Sequence, residues 1–160
     1  MKDKKHVCPI SFNYDNGGKI VAFSIPGKPR GKERPRMARC GKFVTTYTPK
    51  NTVEYEKLIR TAYRSTVGDV FLEGPIEAEL HGVFPIPKST SKKKTKEMLE
   101  GDILYTHKID CDNLGKIVLD ALNKIAYRDD SQICKMSVTK EYGNNPRVDV
   151  ILREVNKLKY

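Results

Sequence analysis

The stretch KIDCDNLGKIVLDALNKIAYRDDSQ, residues 108–132, decides how the chain is read, because two aspartates precede a helical run and two more follow it. Leu114, Ile117, Val118, Ala121, Leu122 and Ile125 fall at steps of three, one, three, one and three. That spacing places them on one face of an α-helix over residues 113–126, with the stripe turned to a core. Asn113, Lys116, Asp120 and Lys124 form a polar stripe on the opposite side. Asp110 and Asp112 stand at i and i+2 ahead of the helix, and in an extended segment that spacing points both carboxylates the same way. A pair of like charges on one face suits a hard cation such as Mg²⁺, which is held by one or two carboxylates plus substrate oxygens. The competing structural role is helix capping by Asp112 or Asn113, worth about 1 kcal/mol. Lys116 lies about one turn on, where an ammonium either neutralises charge on a phosphate or pairs with Asp112 or Asp120.

Asp129 and Asp130 lie beyond the helix. Fourteen helical residues at about 1.5 Å each separate the helix ends by roughly 20 Å. The few residues that follow, at about 3.3 Å each, are too short for an easy return. If Asp130 shares a site with Asp110 and Asp112, the length argument therefore assigns it to the two-fold axis of a homodimer, with antiparallel helices bringing one copy's Asp130 beside the other's Asp112.

Outward from this stretch, residues 19–25 (KIVAFSI) read as a strand and residues 26–43 (PGKPRGKERPRMARCGKF) as a long basic loop, too punctuated by Pro and Gly for a helix. Eight cations from Lys28 to Lys50 face only Glu33. Lys28, Arg30, Lys32, Arg34, Arg36, Arg39 and Lys42 are the candidate DNA-contacting residues, since each neutralised phosphate releases counterions. Tyr47 is available to stack on a base or to pack. A helix is expected over residues 52–65, capped by Asn51 or Thr52, and a half-buried strand over residues 76–85. A short basic helix, capped by Ser89, Thr90 or Ser91, ends near Gly101, and Lys92, Lys93, Lys94 and Lys96 make it either a solvated face or a second DNA contact. Strands over residues 133–142 and 147–154 are joined by the turn GNNP. The order β, α, β, α, α, β, β describes an α/β or α+β domain without internal repeats.

A chain of 160 residues, 38% hydrophobic, fits one domain with its own core. We expect residues 1–18 to be an amino-terminal extension and residues 19–160 the domain. A net charge of +10 favours a polyanionic partner such as nucleic acid. Cys8, Cys40, Cys111 and Cys134 form no C-x-x-C pair, which argues against a zinc ribbon or disulfide framework and for a reducing cytoplasm. The start MKDKKHVCPISF has no apolar signal region, and no run of about 18 apolar residues exists, so neither a secretory signal nor a membrane span is expected. His81 and His107 lack paired metal spacing.

The residues D-C-D-N-L-G-K-I-V-L-D-A-L-N, followed by Y-R-D-D-S-Q, resemble the RusA family of Holliday-junction resolvases, whose pattern is D-x-D-N-x-x-K, then D-A-L, then D-D-x-Q. IPGKPRGKERPR and YTPK look like the basic and Y-T-P segments of phage-borne members, and the resemblance spans roughly residues 20–150. It implies a small α/β (α+β) domain, a mixed sheet of about four strands packed with two to three helices, assembled as a homodimer. It also implies a Mg²⁺-dependent endonuclease that cuts paired strands symmetrically at four-way DNA junctions in recombination and repair. By position, Asp110, Asp112 and Asp130 become catalytic metal-site carboxylates and Lys116 the essential lysine, with Asp129 the weaker acidic candidate. Cys111, between the aspartates, is expected to be a small packing residue, and the lysine-rich stretch near Lys92 is an insertion. The rival readings are a basic DNA-binding protein without catalysis, a nuclease for flaps or forks, and a D-x-D nucleotide-sugar transferase, which the basic surface disfavours.

Overall fold

Val21, Phe23 and Ile25 alternate with half-exposed neighbours along the strand β1 (Ile20–Pro26), and Val148, Val150 and Leu152 do the same along β6 (Arg147–Glu154). Period-two burial of this kind gives each strand one core face, and the two pair antiparallel, with Phe23 opposite Val150. These elements belong to a computed structural model that describes residues 18–156. The expected amino-terminal extension therefore falls, but for its last residue, outside the described residues. Between the two strands come a hairpin of β2 (Arg36–Cys40) and β3 (Phe43–Tyr47), helix α1 (Lys50–Thr66), strand β4 (Ile76–Pro85), helix α2 (Lys92–Glu100), helix α3 (Cys111–Leu122) and strand β5 (Ile133–Gly143).

The main sheet is mixed, in the order β1-β6-β4-β5, with only the β4/β5 pair parallel. β5 and β6 are consecutive but do not pair, because β4 lies between them. The GNNP connection thus spans two strand spacings, about 10 Å, and is not a tight hairpin turn.

Helices α1 and α3 pack on each other, α1 lies against β1, and α3 lies against β5. The apolar stripe of α3 is the centre of the core: Leu114, Ile117, Val118, Ala121 and Leu122 are all fully buried. Truncating Ile117 to alanine would cost about 2–5 kcal/mol, the usual penalty for emptying a close-packed aliphatic site. The other sheet surface carries charge pairs such as Arg153–Glu79 (2.9 Å) and Lys135–Glu77 (2.7 Å). Among the described residues, no helix is long and apolar enough to cross a membrane.

Four details depart from the sequence expectations. Residues 26–43 are not all loop, since β2 and β3 form an antiparallel hairpin turned by Gly41 and Lys42. Gly41 takes φ 63°, the left-handed conformation that a two-residue hairpin turn demands and that glycine adopts without steric cost. Helix α1 starts at Lys50 on Pro49, whose carbonyl accepts from the Thr52 and Val53 amides (3.0 and 3.2 Å), so neither Asn51 nor Thr52 is the cap. Cys111 opens α3 and is exposed, so it is not a packing residue. Helix α3 ends at Leu122, not Ala126: Lys124 adopts φ 63°, and the Leu122 carbonyl accepts from both Ile125 (3.0 Å) and Ala126 (2.9 Å). The apolar spacing persists through this turn because Ala126 is still buried. Helix α2 follows expectation, with the Ser91 hydroxyl accepting from the Lys94 amide (3.4 Å) and Gly101 closing the end in the left-handed region.

Candidate active site

The segment before α3 is held in place by groups far along the chain. Tyr105 stacks on Phe84 with ring centroids 3.9 Å apart, and its hydroxyl donates to the Lys108 carbonyl (2.6 Å). Lys140, reaching from β5, donates to the Ile109 carbonyl (2.9 Å). The chain thereby arrives at Asp110 fixed in position. Asp110 is the N-cap of α3 by backbone geometry: its carbonyl accepts from the Leu114 amide (3.1 Å), yet its side chain makes no capping bond. The carboxylate is left exposed and lines a cleft of about 670 Å³.

Asp112 stands already inside the first helical turn, so the expected extended geometry, with both carboxylates pointing one way, does not hold. Its Oδ2 accepts from Lys116 Nζ at 2.8 Å, an i,i+4 pair on the exposed side of the helix. That hydrogen bond and the Asp112 charge, with a further contribution from Asp120, raise the Lys116 pKa and keep the ammonium charged.

Asp112, Lys116 and Asp120 form one ridge at four-residue steps. Asp120 takes an ion pair from Lys32, whose Nζ is also 3.8 Å from Glu56. On the other side of Asp120 stands Asp130, whose pKa is raised by partial burial and then by hydrogen bonding and repulsion from Asp120. The turn after Leu122 thus brings the second acidic pair back to the helix. Eight residues at about 1.5 Å put Asp120 roughly 12 Å along the axis from Asp112, closer than the 20 Å inferred for a longer helix. Even so, among the described residues no group of three His, Cys, Asp or Glu side chains converges as a metal site.

Asp129 has a different occupation. It caps the 3-10 turn Asp130–Gln132, accepting from the Ser131 amide (3.0 Å), and its pKa is lowered by hydrogen bonding to the Ser131 side chain first and to that amide second. Gln132 completes the box: Oε1 accepts from the Arg128 and Asp129 amides (2.9 and 3.3 Å), while Nε2 donates to the Leu72, Glu73 and Gly74 carbonyls (3.3, 3.1 and 3.0 Å). Gln132 therefore bolts the acidic turn to the 72–74 segment. The D-D-x-Q spacing held the signal for this role, a cap followed three residues later by Gln.

The basic segment lies against the start of α3. Lys28, Arg30 and Lys32 line the same cleft as Asp110, together with Lys108 and Asn113. The Lys32 amide donates to the Asn113 carbonyl (3.4 Å), and a Cβ on Gly31 would stand 2.5 Å from Ile109 Cγ2. Only glycine lets the loop lie this close to the start of α3. Arg34 is exposed in the loop, Arg36 and Arg39 are on β2, and Lys42 is at the hairpin turn, with Arg36 also paired to Glu33 (3.2 Å). Lys92, Lys93, Lys94 and Lys96 are exposed on α2. Asp120, Lys32 and Gln132 are thus the members whose place in the site needed the structure. For Asp120 the signal was its four-residue step from Lys116.

The donor set is chemically suited to a hard divalent cation. It is made of carboxylates, one of them, Asp110, free of capping bonds, and another, Asp130, beside Asp120, which helps hold its pKa up.

Comparison with known proteins places these residues in context. The family model for endodeoxyribonuclease RusA matches residues 26–153, most of the chain. The chain is also similar to the uncharacterized protein YqaN of Bacillus subtilis (strain 168), 37% identical over 141 residues, covering 85% of this chain and 97% of that protein. The matched region contains every candidate carboxylate, Lys116 and the basic loop.

Proposed function

This chain belongs to the RusA endodeoxyribonuclease family, a family of nucleases acting on DNA, and from that premise we propose that it resolves four-way DNA junctions by Mg²⁺-dependent paired nicking. The observation that carries the reading is the cleft that Lys28, Arg30 and Lys32 line together with Asp110. The cations of the cleft hold phosphates, and its free carboxylate offers a metal site at the scissile bond. A divalent ion held by Asp110, Asp112 and Asp130 would supply activation of a water and neutralise charge on the departing oxygen. Lys116, kept charged by Asp112, stabilises negative charge developing on the phosphate. Lys32 ties the phosphate-binding loop to Asp120 and so sets the spacing between loop and helix.

We further propose that the working unit is a homodimer whose metal site joins Asp110 and Asp112 of one copy to Asp130 of the other. What supports this is the separation within one chain: Asp130 contacts Asp120, about 12 Å along α3 from Asp112. Two sites related by a dyad match the symmetry of a four-way junction and account for paired cuts.

The test uses end-labelled four-way junctions, flaps and linear duplex of matched sequence. Asp112→Asn and Asp130→Asn should each bind the junction and fail to nick it in Mg²⁺. Mixed after refolding together, they should regain single-strand nicking, because the heterodimer then contains one intact composite site. No recovery in verified heterodimers would refute the shared site. Nicking of flaps in preference to four-way junctions would reassign the substrate, and binding without any wild-type nicking would favour a non-catalytic DNA-binding protein.

A further inference from the structure

The β2/β3 hairpin has no core. All ten strand residues are exposed, including Met37 (78%), Phe43 (77%), Val44 (62%) and Tyr47 (48%). A two-stranded ribbon with neither face buried is marginal in water, and large apolar side chains at such exposure mark a contact surface. Cross-strand register puts Arg36, Cys40, Phe43 and Tyr47 on one face and Met37, Arg39 and Val44 on the other. Both faces are therefore apolar and cationic together.

The hairpin's position says what it meets. It leaves the body at Glu33 and returns at Asn51, both of which line the cleft that holds Asp110. Five residues at about 3.4 Å carry its tip roughly 17 Å outward from that rim. Among residues 34–53 there is no Asp or Glu, so a second copy laid symmetrically on this ribbon would oppose like charges, whereas DNA would not. An intact duplex offers phosphates to the cations but keeps its base faces stacked and closed to Phe43. Apolar base faces become accessible where stacking is interrupted, at the branch point of a junction.

Resting on the junction-nuclease reading above, we propose that the β2/β3 hairpin is a branch-point wedge, with Phe43 at its tip inserted against the unstacked bases while Arg39 and Lys42 hold the flanking phosphates. The basic loop grips DNA of any shape, and the wedge confers the preference for branched DNA.

The experiment places 2-aminopurine beside the branch point of a four-way junction and follows its fluorescence on addition of the full chain in EDTA. Wild-type protein should brighten the probe as the base unstacks. Phe43→Ala should abolish the change and weaken junction binding about tenfold, as expected for losing one stacked base, with linear-duplex affinity within about twofold. Met37→Ser, on the opposite face, separates the tip from the ribbon and should reduce the signal less than Phe43→Ala. Three results would overturn the wedge: a silent probe with wild-type protein that still nicks junctions, equal losses on junction and duplex, or dissociation of a dimer by Phe43→Ala with junction preference unchanged. The last would assign the hairpin to a second copy. Wild-type protein that neither binds nor nicks junctions would remove the junction-nuclease reading as well.

Discussion

Replacing Gln132 by alanine should separate the position of Asp130 from its chemistry. The side chain makes five hydrogen bonds, of which those to the Arg128 amide, the Glu73 carbonyl and the Gly74 carbonyl are 3.1 Å or shorter. Each is worth about 1 kcal/mol net, and because Gln132 is half-buried, water replaces part of the loss, leaving a destabilisation of about 2 kcal/mol. For a chain of this size that corresponds to a fall in Tm of about 4–8 °C. The consequence for function exceeds that for stability, because Asp130 is the first residue of the turn that Gln132 anchors. A carboxylate displaced by about 1 Å costs on the order of a hundredfold in rate. Single-turnover nicking of a labelled junction at 25 °C, where the variant remains folded, should therefore drop by about that factor, with junction binding within twofold. Gln132→Glu sharpens the test: it keeps the shape and the accepting oxygen but turns a second oxygen toward the Leu72, Glu73 and Gly74 carbonyls, so it should be at least as destabilising as alanine. A Gln132→Ala protein with Tm within 1 °C of wild type and unchanged nicking would show that the turn holds its shape without the side chain, and the positioning argument would fail.

Three further outcomes follow from the site and the core. Lys116→Gln should lower nicking by about 10²–10³ while junction affinity, measured by gel shift, is retained, since the ammonium acts on charge that develops during the reaction. Asp130→Asn should raise Tm in metal-free buffer at pH 8: a raised carboxyl pKa means that stability is lost as pH rises through its titration, so removing the charge restores it, and the gain should close as pH falls and the wild-type carboxyl takes up its proton. Tyr63, pushed up to about 12 by burial, contributes stability that is whole below pH ~10 and lost as pH climbs to 12. Tyr63→Phe should lower stability near neutrality by about 1 kcal/mol through loss of the 2.6 Å bond to the Val70 carbonyl, and should flatten the alkaline decline followed by circular dichroism.

What the sequence determined by itself was whatever rests on local periodicity and covalent spacing. The apolar steps from Leu114 to Leu122 set α3 and its buried face, and period-two alternation set β1, β4 and β6, because both patterns are fixed by backbone geometry. The i,i+4 pairing of Asp112 with Lys116 was legible for the same reason. The end of α3 was not, since residues 123–127 contain no Gly or Pro and the core accepts Ile125 and Ala126 from a turn as readily as from a helix. The hairpin was hidden because neither of its faces is buried, which leaves no hydrophobic alternation to read. Contacts across long sequence separations were decided by the tertiary structure alone. Lys32 reaches Asp120, Lys140 holds the segment leading into Asp110, and Gln132 anchors to residues 72–74 because the packing of α3 on the sheet brings those segments together. No spacing in the chain encodes those meetings, and they set Asp110 in a cleft lined by the basic loop and tie the further aspartates to segments far along the chain.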